Sequence, residues 1–198
     1  MSTAILLSGG MDSVAIAFWK RPELAVTIDY GQRPAAAEMR AASAVADALG
    51  IKHLKVTIPA GELGSGDLAG SPPLSLAAKP EWWPYRNQLL VTIAAAKVLP
   101  LGAKKLLIGT LATDSHHADG SPEFVRILGE LLTLQEGGVS LEAPAIGMNA
   151  VSLIRTSGIP QDILAWSHSC HVADFACGVC GGCRKHYRTM AEIGEFPY

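Results

Sequence analysis

The sequence predicts an α/β fold, a doubly wound five-stranded parallel sheet with a small cysteine-bearing segment at its C-terminal end. Three observations carry this. Short apolar runs of strand type alternate with longer stretches of helical period through most of the chain. A glycine-rich turn follows the first apolar run, where a strand passes into a helix. The cysteines stand together as Cys170, Cys177, Cys180 and Cys183, and none precedes them. Of 198 residues, 49% are hydrophobic and 17% charged, which suits one packed domain with an appendage and excludes a disordered chain.

The elements follow in order. Ala4-Ile5-Leu6-Leu7 reads as a buried strand, Ser8-Gly9-Gly10 as a turn and Met11 to Lys20 as a helix. Leu24 to Ile28 is a second strand. Ala36 to Leu49 carries an apolar stripe at positions 37, 41, 44, 45, 48 and 49 and ends at Gly50, so it is a helix. His53 to Ile58 alternates as a third strand. Residues 59–83 are rich in proline, glycine and serine with no sustained period, which predicts a structureless lid or mobile connection. Pro84 suits the first turn of a helix running to Leu99. Lys105 to Ile108 is a fourth strand, Pro122 to Leu134 an amphipathic helix, Val139 to Ala143 a fifth strand and Asn149 to Thr156 a short helix. Residues 1–160 form the α/β domain, with 161–198 packed on it. Right-handed crossovers put the loops after the first, second and fourth strands on the carboxyl edge, where such sheets bind ligands.

The formal net charge of -2 leaves no basic surplus for tight nucleic-acid binding. The longest apolar stretch, Leu89 to Leu99, is interrupted by Lys97 and too short to span a bilayer. The N-terminus lacks a basic segment, and Ser8-Gly9-Gly10 breaks its apolar run, so a secretory signal is not expected and the expected location is cytoplasmic. Few charges and a positive mean hydropathy favour a homodimer.

Leu7-Ser8-Gly9-Gly10-Met11-Asp12-Ser13 has the parts of an anion site. Two glycines allow close backbone approach, and the next helix offers free N–H groups and the positive end of its dipole. Ser8 and Ser13 add hydroxyl donors, and Asp12 would hold the turn or place a magnesium ion. No lysine follows in the Walker A pattern. Asp29-Tyr30-Gly31-Gln32-Arg33 supplies a carboxylate, a phenol, an amide and a guanidinium at the same edge. Pro84-Tyr85-Arg86-Asn87 opens a helix with an arginine suited to phosphate or carboxylate. Ile108-Gly109-Thr110 ends the fourth strand, and Asp114 and Asp119 follow. His116 and His117 are expected at the surface, with a role at the substrate edge left open. Four cysteines at this spacing, with Gly178, Gly181 and Gly182 between them, suit a tetrahedral metal site for Zn2+. An iron–sulfur cluster is the rival. His168, His171 or His186 replacing one thiolate is a lesser one.

S-G-G-x-D-S after an N-terminal strand resembles the pyrophosphate loop of the N-type ATP pyrophosphatases. With D-Y-G-Q-R, P-x-R-N, Asp119, Glu123-Phe124 and the final C-G-x-C-x-x-C-R, the chain resembles the 7-cyano-7-deazaguanine synthase (QueC) family over its whole length. It departs in several places. Pro34 stands where the family has histidine, and Glu38 sits one position beyond the family's glutamate. The tyrosine, cysteine and arginine of the loop signature are absent between Asp114 and Phe124, and Met148-Asn149 replaces a threonine-lysine pair.

The resemblance implies an adenine nucleotide alpha hydrolase-like fold. It implies ATP and Mg2+ as cofactors with a structural Zn2+ on Cys170, Cys177, Cys180 and Cys183. Catalytic roles fall to Asp12, Arg86 and Asp114. The nucleotide would be held by Leu7, Ser8, Gly9, Gly10, Met11, Asp12 and Ser13, by Asp29, Tyr30, Gln32 and Arg33, and by Arg86, Asn87 and Gly109. The implied reaction adenylates the carboxylate of 7-carboxy-7-deazaguanine for attack by a nitrogen nucleophile, giving the nitrile with ammonia. An antiphage-defence variant would join the acid to a protein amine. A sibling tRNA thiolase, an amidotransferase synthetase domain and a nucleotide-binding subunit without turnover are the other readings.

Overall fold

The computed structural model describes residues 2–77 and 79–196, so position 78 of the 59–83 segment, positions 197–198 of the C-terminal segment and residue 1 lie outside it. Five strands, β1 (Ser2–Leu6), β2 (Leu24–Asp29), β3 (Lys52–Thr57), β4 (Ala103–Leu107) and β5 (Ser140–Glu142), form one sheet in the order β3-β2-β1-β4-β5. Every neighbouring pair is parallel, with Ile5 opposite both Ala25 and Leu107. The chain winds outward from β1 to β3, then returns to the other side of β1 for β4 and β5. The reversal therefore falls between β1 and β4, which is where a doubly wound sheet opens a crevice at its carboxyl edge.

Alternation along the strands divides the core. Ile5, Leu7 and Leu107 face one side, with α1 (Met11–Lys20), α2 (Ala35–Leu49) and α6 (Ala150–Ser157). Ala4, Leu106 and Ile108 face the other, with α4 (Arg86–Val98) and α5 (Pro122–Thr133). Local chemistry sets the helix ends. Asn149 accepts from the Ser152 N–H at 2.8 Å and caps α6, Ser121 accepts from Phe124 N–H and caps α5, and Gly50 ends α2 at φ 66°. Among the described residues, no helix is long and apolar enough to cross a membrane.

Three regions differ from the sequence expectation. Pro84 lies outside α4, which begins at Arg86 after Tyr85 at φ 55°. The cause is Trp83, 1% exposed and fixed in the core, so the chain must turn sharply before it can enter the helix. Residues 59–83 are not structureless. They contain a 3-10 turn at Gly61–Leu63 and a one-turn helix, α3 (Gly66–Ala69). Arg33 N–H donates to Leu68 O, Asp67 N–H donates to Pro80 O, and Ser65 Oγ donates to Trp82 O at 2.9 Å. Glycine makes the fold-back possible: a Cβ on Gly66, at φ 70°, would lie 1.8 Å from Pro80 O. Third, the cysteine segment carries a helix that the sequence reading did not assign, α8 (Gly181–Ile193), preceded by α7 (Gln161–Leu164). Leu164 and Met190 pack into the cluster that holds Ile5 and Leu7.

Candidate active site

β1 delivers Leu7 to the carboxyl edge and α1 begins four residues later, so Ser8, Gly9 and Gly10 must turn within a short arc. Gly9 sits at φ 78°, and a Cβ there would meet Glu38 O at 2.7 Å. Ser8 and Ser13 hydroxyls lie 3.1 Å apart, and Ser13 Oγ donates to Gly10 O at 2.9 Å. No side chain caps α1. Its first N–H groups face the turn with hydroxyls beside them, the arrangement an anion needs. Across the reversal, Gly109 follows β4 so closely that a Cβ on it would contact Ser13 Cα at 3.4 Å.

A cavity of about 1220 Å³ opens at this point. It brings together Leu7, Ser8, Gly10, Asp12, Ser13, Tyr30, Arg86, Asn87, Gly109 and Asp114. It does not bring in all of the expected residues. Gly9 shapes the turn from behind. Met11 is buried in the core beside a smaller neighbouring pocket. Asp29 accepts from Gly31 N–H at 3.0 Å and shapes its own loop. Gln32 is 3% exposed; its Oε1 accepts from Tyr30 N–H at 2.9 Å and its Nε2 donates to Glu38 Oε2 at 2.8 Å. Arg33 is exposed and packs along Gly70 of the 59–83 segment.

Charge in the cavity is arranged around Asp12 and Arg86. Burial pushes the Asp12 carboxyl up, against the pull of Lys185, whose ammonium lies 2.7 Å from Asp12 Oδ2. Lys185 Nζ also lies 3.7 Å from Asp114 Oδ1. Asp114 Oδ2 accepts from Leu111 N–H at 2.9 Å, which orients that carboxylate. The second Asp12 oxygen, Oδ1, is buried with no hydrogen-bond partner. Burial works against the charge on Arg86, but Tyr30, Asp119 and Glu38 more than offset it and hold its pKa above the usual value. Burial raises the Tyr30 phenol, so it stays protonated, and its ring stands edge-on to Trp83 at 4.9 Å. Asn87 fastens the start of α4 to the 118–120 turn: its N–H donates to Asp119 Oδ2 at 3.2 Å and its Nδ2 donates to Asp119 O at 2.9 Å.

Lys185 and Glu38 are two of the cavity residues that the sequence reading did not assign to the site. The signal for Lys185 was the Gly181-Gly182 pair after Cys180. It marks a helix start, and Gly181, Gly182 and Lys185 then share the face that lines the cavity. His116, at the surface as expected, and half-buried His117 also line it.

Of the four cysteines, Cys180 lines the same cavity and stands at the N-cap of α8, where it accepts from Cys183 N–H. Their sulfurs all lie within 4.8 Å of one another, and Cys177 Sγ is 3.9 Å from Cys183 Sγ. Tetrahedral zinc with Zn–S bonds near 2.3 Å sets sulfurs about 3.8 Å apart, so the spacing fits. Backbone N–H groups of Val179 and Cys180 pull the Cys177 thiol down to about 6, while burial pushes Cys183 up to about 12. Four thiolates this close need a cation to ionise together.

A glycine-rich turn at the reversal of a parallel sheet, with a cavity lined by arginine, lysine and aspartate side chains, has the arrangement of a PP-loop α/β fold. The structure resembles NMN synthetase from Francisella tularensis with a TM-score of 0.52 over 98% of this chain and 78% of that one, at 15% identity, a likeness of fold. The family model for queuosine biosynthesis protein QueC matches residues 2–194, and the chain belongs to that family. It is 32% identical to a 7-cyano-7-deazaguanine synthase of Desulforudis audaxviator, covering 98% of each chain. It is 33% identical to one of Methylococcus capsulatus, covering 96% of this chain and 94% of that one.

Proposed function

We propose that the protein uses ATP to adenylate the carboxylate of 7-carboxy-7-deazaguanine, so that a nitrogen nucleophile can take the acyl carbon. The observation that carries this reading is the convergence of the Ser8–Ser13 turn, Arg86 and Lys185 on one cavity, together with membership of the family. A carboxylate oxygen attacks the α-phosphorus and pyrophosphate leaves. The nitrogen then attacks the acyl carbon and AMP leaves with that oxygen. With ammonia the product is the amide. Repeating the sequence on the amide oxygen and losing AMP gives the nitrile.

Two anions must meet, so positive charge decides the rate. The turn N–H groups and the Ser8 and Ser13 hydroxyls receive the departing pyrophosphate. Lys185 stands where charge gathers on it, supplying a cation from α8 in a chain with Asn149 in place of the family's lysine. Arg86, held charged by its neighbours, faces the α-phosphate. The orphaned Asp12 Oδ1 beside Asp114 fits a magnesium ion, which would offset phosphate charge when bound. The four cysteines fit a structural zinc, since four thiolates leave no open position. Residues 161–198 act with the α/β domain as one unit, a reading supported by Met190 in its core and Lys185 in its cavity.

The test is mass spectrometry of reactions holding the zinc-loaded protein, ATP, magnesium, the acid and ammonium. The nitrile and AMP are expected. ATP turnover indifferent to the acid would remove this substrate.

A further inference from the structure

Glu81, His116 and His117 come from two separate segments, the end of the 59–83 stretch and the loop after β4, and meet on the cavity wall, with the Glu81 carboxylate beside Gly181. Each offers one ligand atom, and the three atoms lie within 4.8 Å of one another. All three residues line the cavity. We propose that Glu81, His116 and His117 form a second metal site, for a divalent ion of borderline softness such as zinc or cobalt.

The tautomer of His116 supports this. Its Nδ1 lies 2.9 Å from Thr113 O. A carbonyl only accepts, so Nδ1 carries the proton and Nε2 keeps a free lone pair. A backbone carbonyl on the far nitrogen is the usual way a ligating imidazole is oriented. His117 gives an independent observation: its Nδ1 is buried with no hydrogen-bond partner. A buried ring nitrogen without a partner is costly, and a metal bond is one remedy. Burial, with His116 and Arg86 nearby, also keeps the ring neutral, as a ligand must be. The two rings already stand 4.2 Å apart, tilted by 51°.

Two imidazoles and one carboxylate suit zinc or cobalt rather than magnesium. Three protein ligands leave a coordination position for an exchangeable group, unlike the closed four-cysteine set. Ligands on bonds of about 2.0–2.1 Å sit about 3.3 Å apart, so side-chain rotation must draw the three atoms together. In doing so the ion would tie the 59–83 segment to the loop after β4.

The test uses the full chain with zinc already on its cysteines. Cobalt is added, and its d–d absorption is followed beside a metal count. One further cobalt per chain is expected, without thiolate-to-cobalt charge-transfer bands. His116→Ala and Glu81→Gln, which act from different segments, should each weaken it at least about tenfold. Both should leave the cysteine-bound zinc and the thermal midpoint without cobalt unchanged. Hydrogen exchange should slow at residues 79–83 and 114–118 on adding cobalt to wild type only. No second equivalent, or one that binds equally well to both variants, or one with thiolate bands, would overturn the proposal. None of these readouts depends on the adenylation reaction.

Discussion

Lys185 and Asp12, far apart in the chain, meet at 2.7 Å and join the cysteine helix to the Ser8–Ser13 turn. Lys185→Met should lower AMP formation by about 10²–10³, the usual loss when one oriented charge partner of a transition state is removed. Lys185→Arg should recover part of that rate. Steady-state kinetics with the acid in excess checks both. Glu38 gives a pH-dependent prediction. Burial, the largest influence, raises its carboxyl above the ordinary 4.5 although Gln32 donates to it. The folded state therefore favours the protonated form, and the wild type loses stability as pH rises through and above the glutamate range. Glu38→Gln is neutral at every pH and keeps the Gln32 contact. It should raise the thermal midpoint at pH 7, with the advantage fading near pH 4; an equal gain at both would refute this account of Glu38. These residues show why the site was only partly legible. Ser8, Asp12, Arg86 and Gly109 stand in local motifs next to strand or helix ends. Lys185 and Glu38 reach the cavity only through tertiary packing of α8 and α2; the Gly181-Gly182 pair marks where α8 starts but not what its side chains meet.

At the scale of elements, the 59–83 segment is anchored in the core by a buried tryptophan as well as by its backbone hydrogen bonds. Trp83, 1% exposed, stacks edge-on to Tyr30 and fills the core under Gly64. Trp83→Ala should cost about 3–5 kcal/mol in denaturant unfolding, and should also free Arg86 and Tyr30 to move, raising KM for ATP. Unchanged KM would show that the segment does not position Arg86. The cysteine segment makes a second case. Cys180 caps α8, so loss of metal should fray the helix that carries Lys185. Cys177→Ser should release about one zinc per chain, lower the thermal midpoint and lower AMP formation together. The strands and α1, α2, α5 and α6 were legible because their apolar period is uninterrupted and their ends carry Asn149, Ser121 or Gly50. The structure of 59–83 was not, because glycine and proline read as disorder when they in fact permit close backbone approach at Gly64 and Gly66. α8 was hidden because its sequence is dominated by cysteine and glycine spacing rather than by an apolar stripe.

For the whole molecule, the strand order β3-β2-β1-β4-β5 opens a crevice between β1 and β4, and the Ser8–Ser13 turn, Gly109 and the cavity all lie there. Alternating strand and helix patterns predicted that edge. What the pattern could not supply was the closure of the cavity's far wall, since α8 and the 59–83 segment come from regions without sheet periodicity. The central claim is that the substrate carboxylate is adenylated in this crevice. Acid carrying ¹⁸O in both carboxylate oxygens tests it most directly. Each displacement should leave one labelled oxygen on AMP, so conversion to the nitrile should give two singly labelled AMP molecules per product, with unlabelled pyrophosphate. Label in inorganic phosphate with formation of ADP, or AMP without label, would contradict the account.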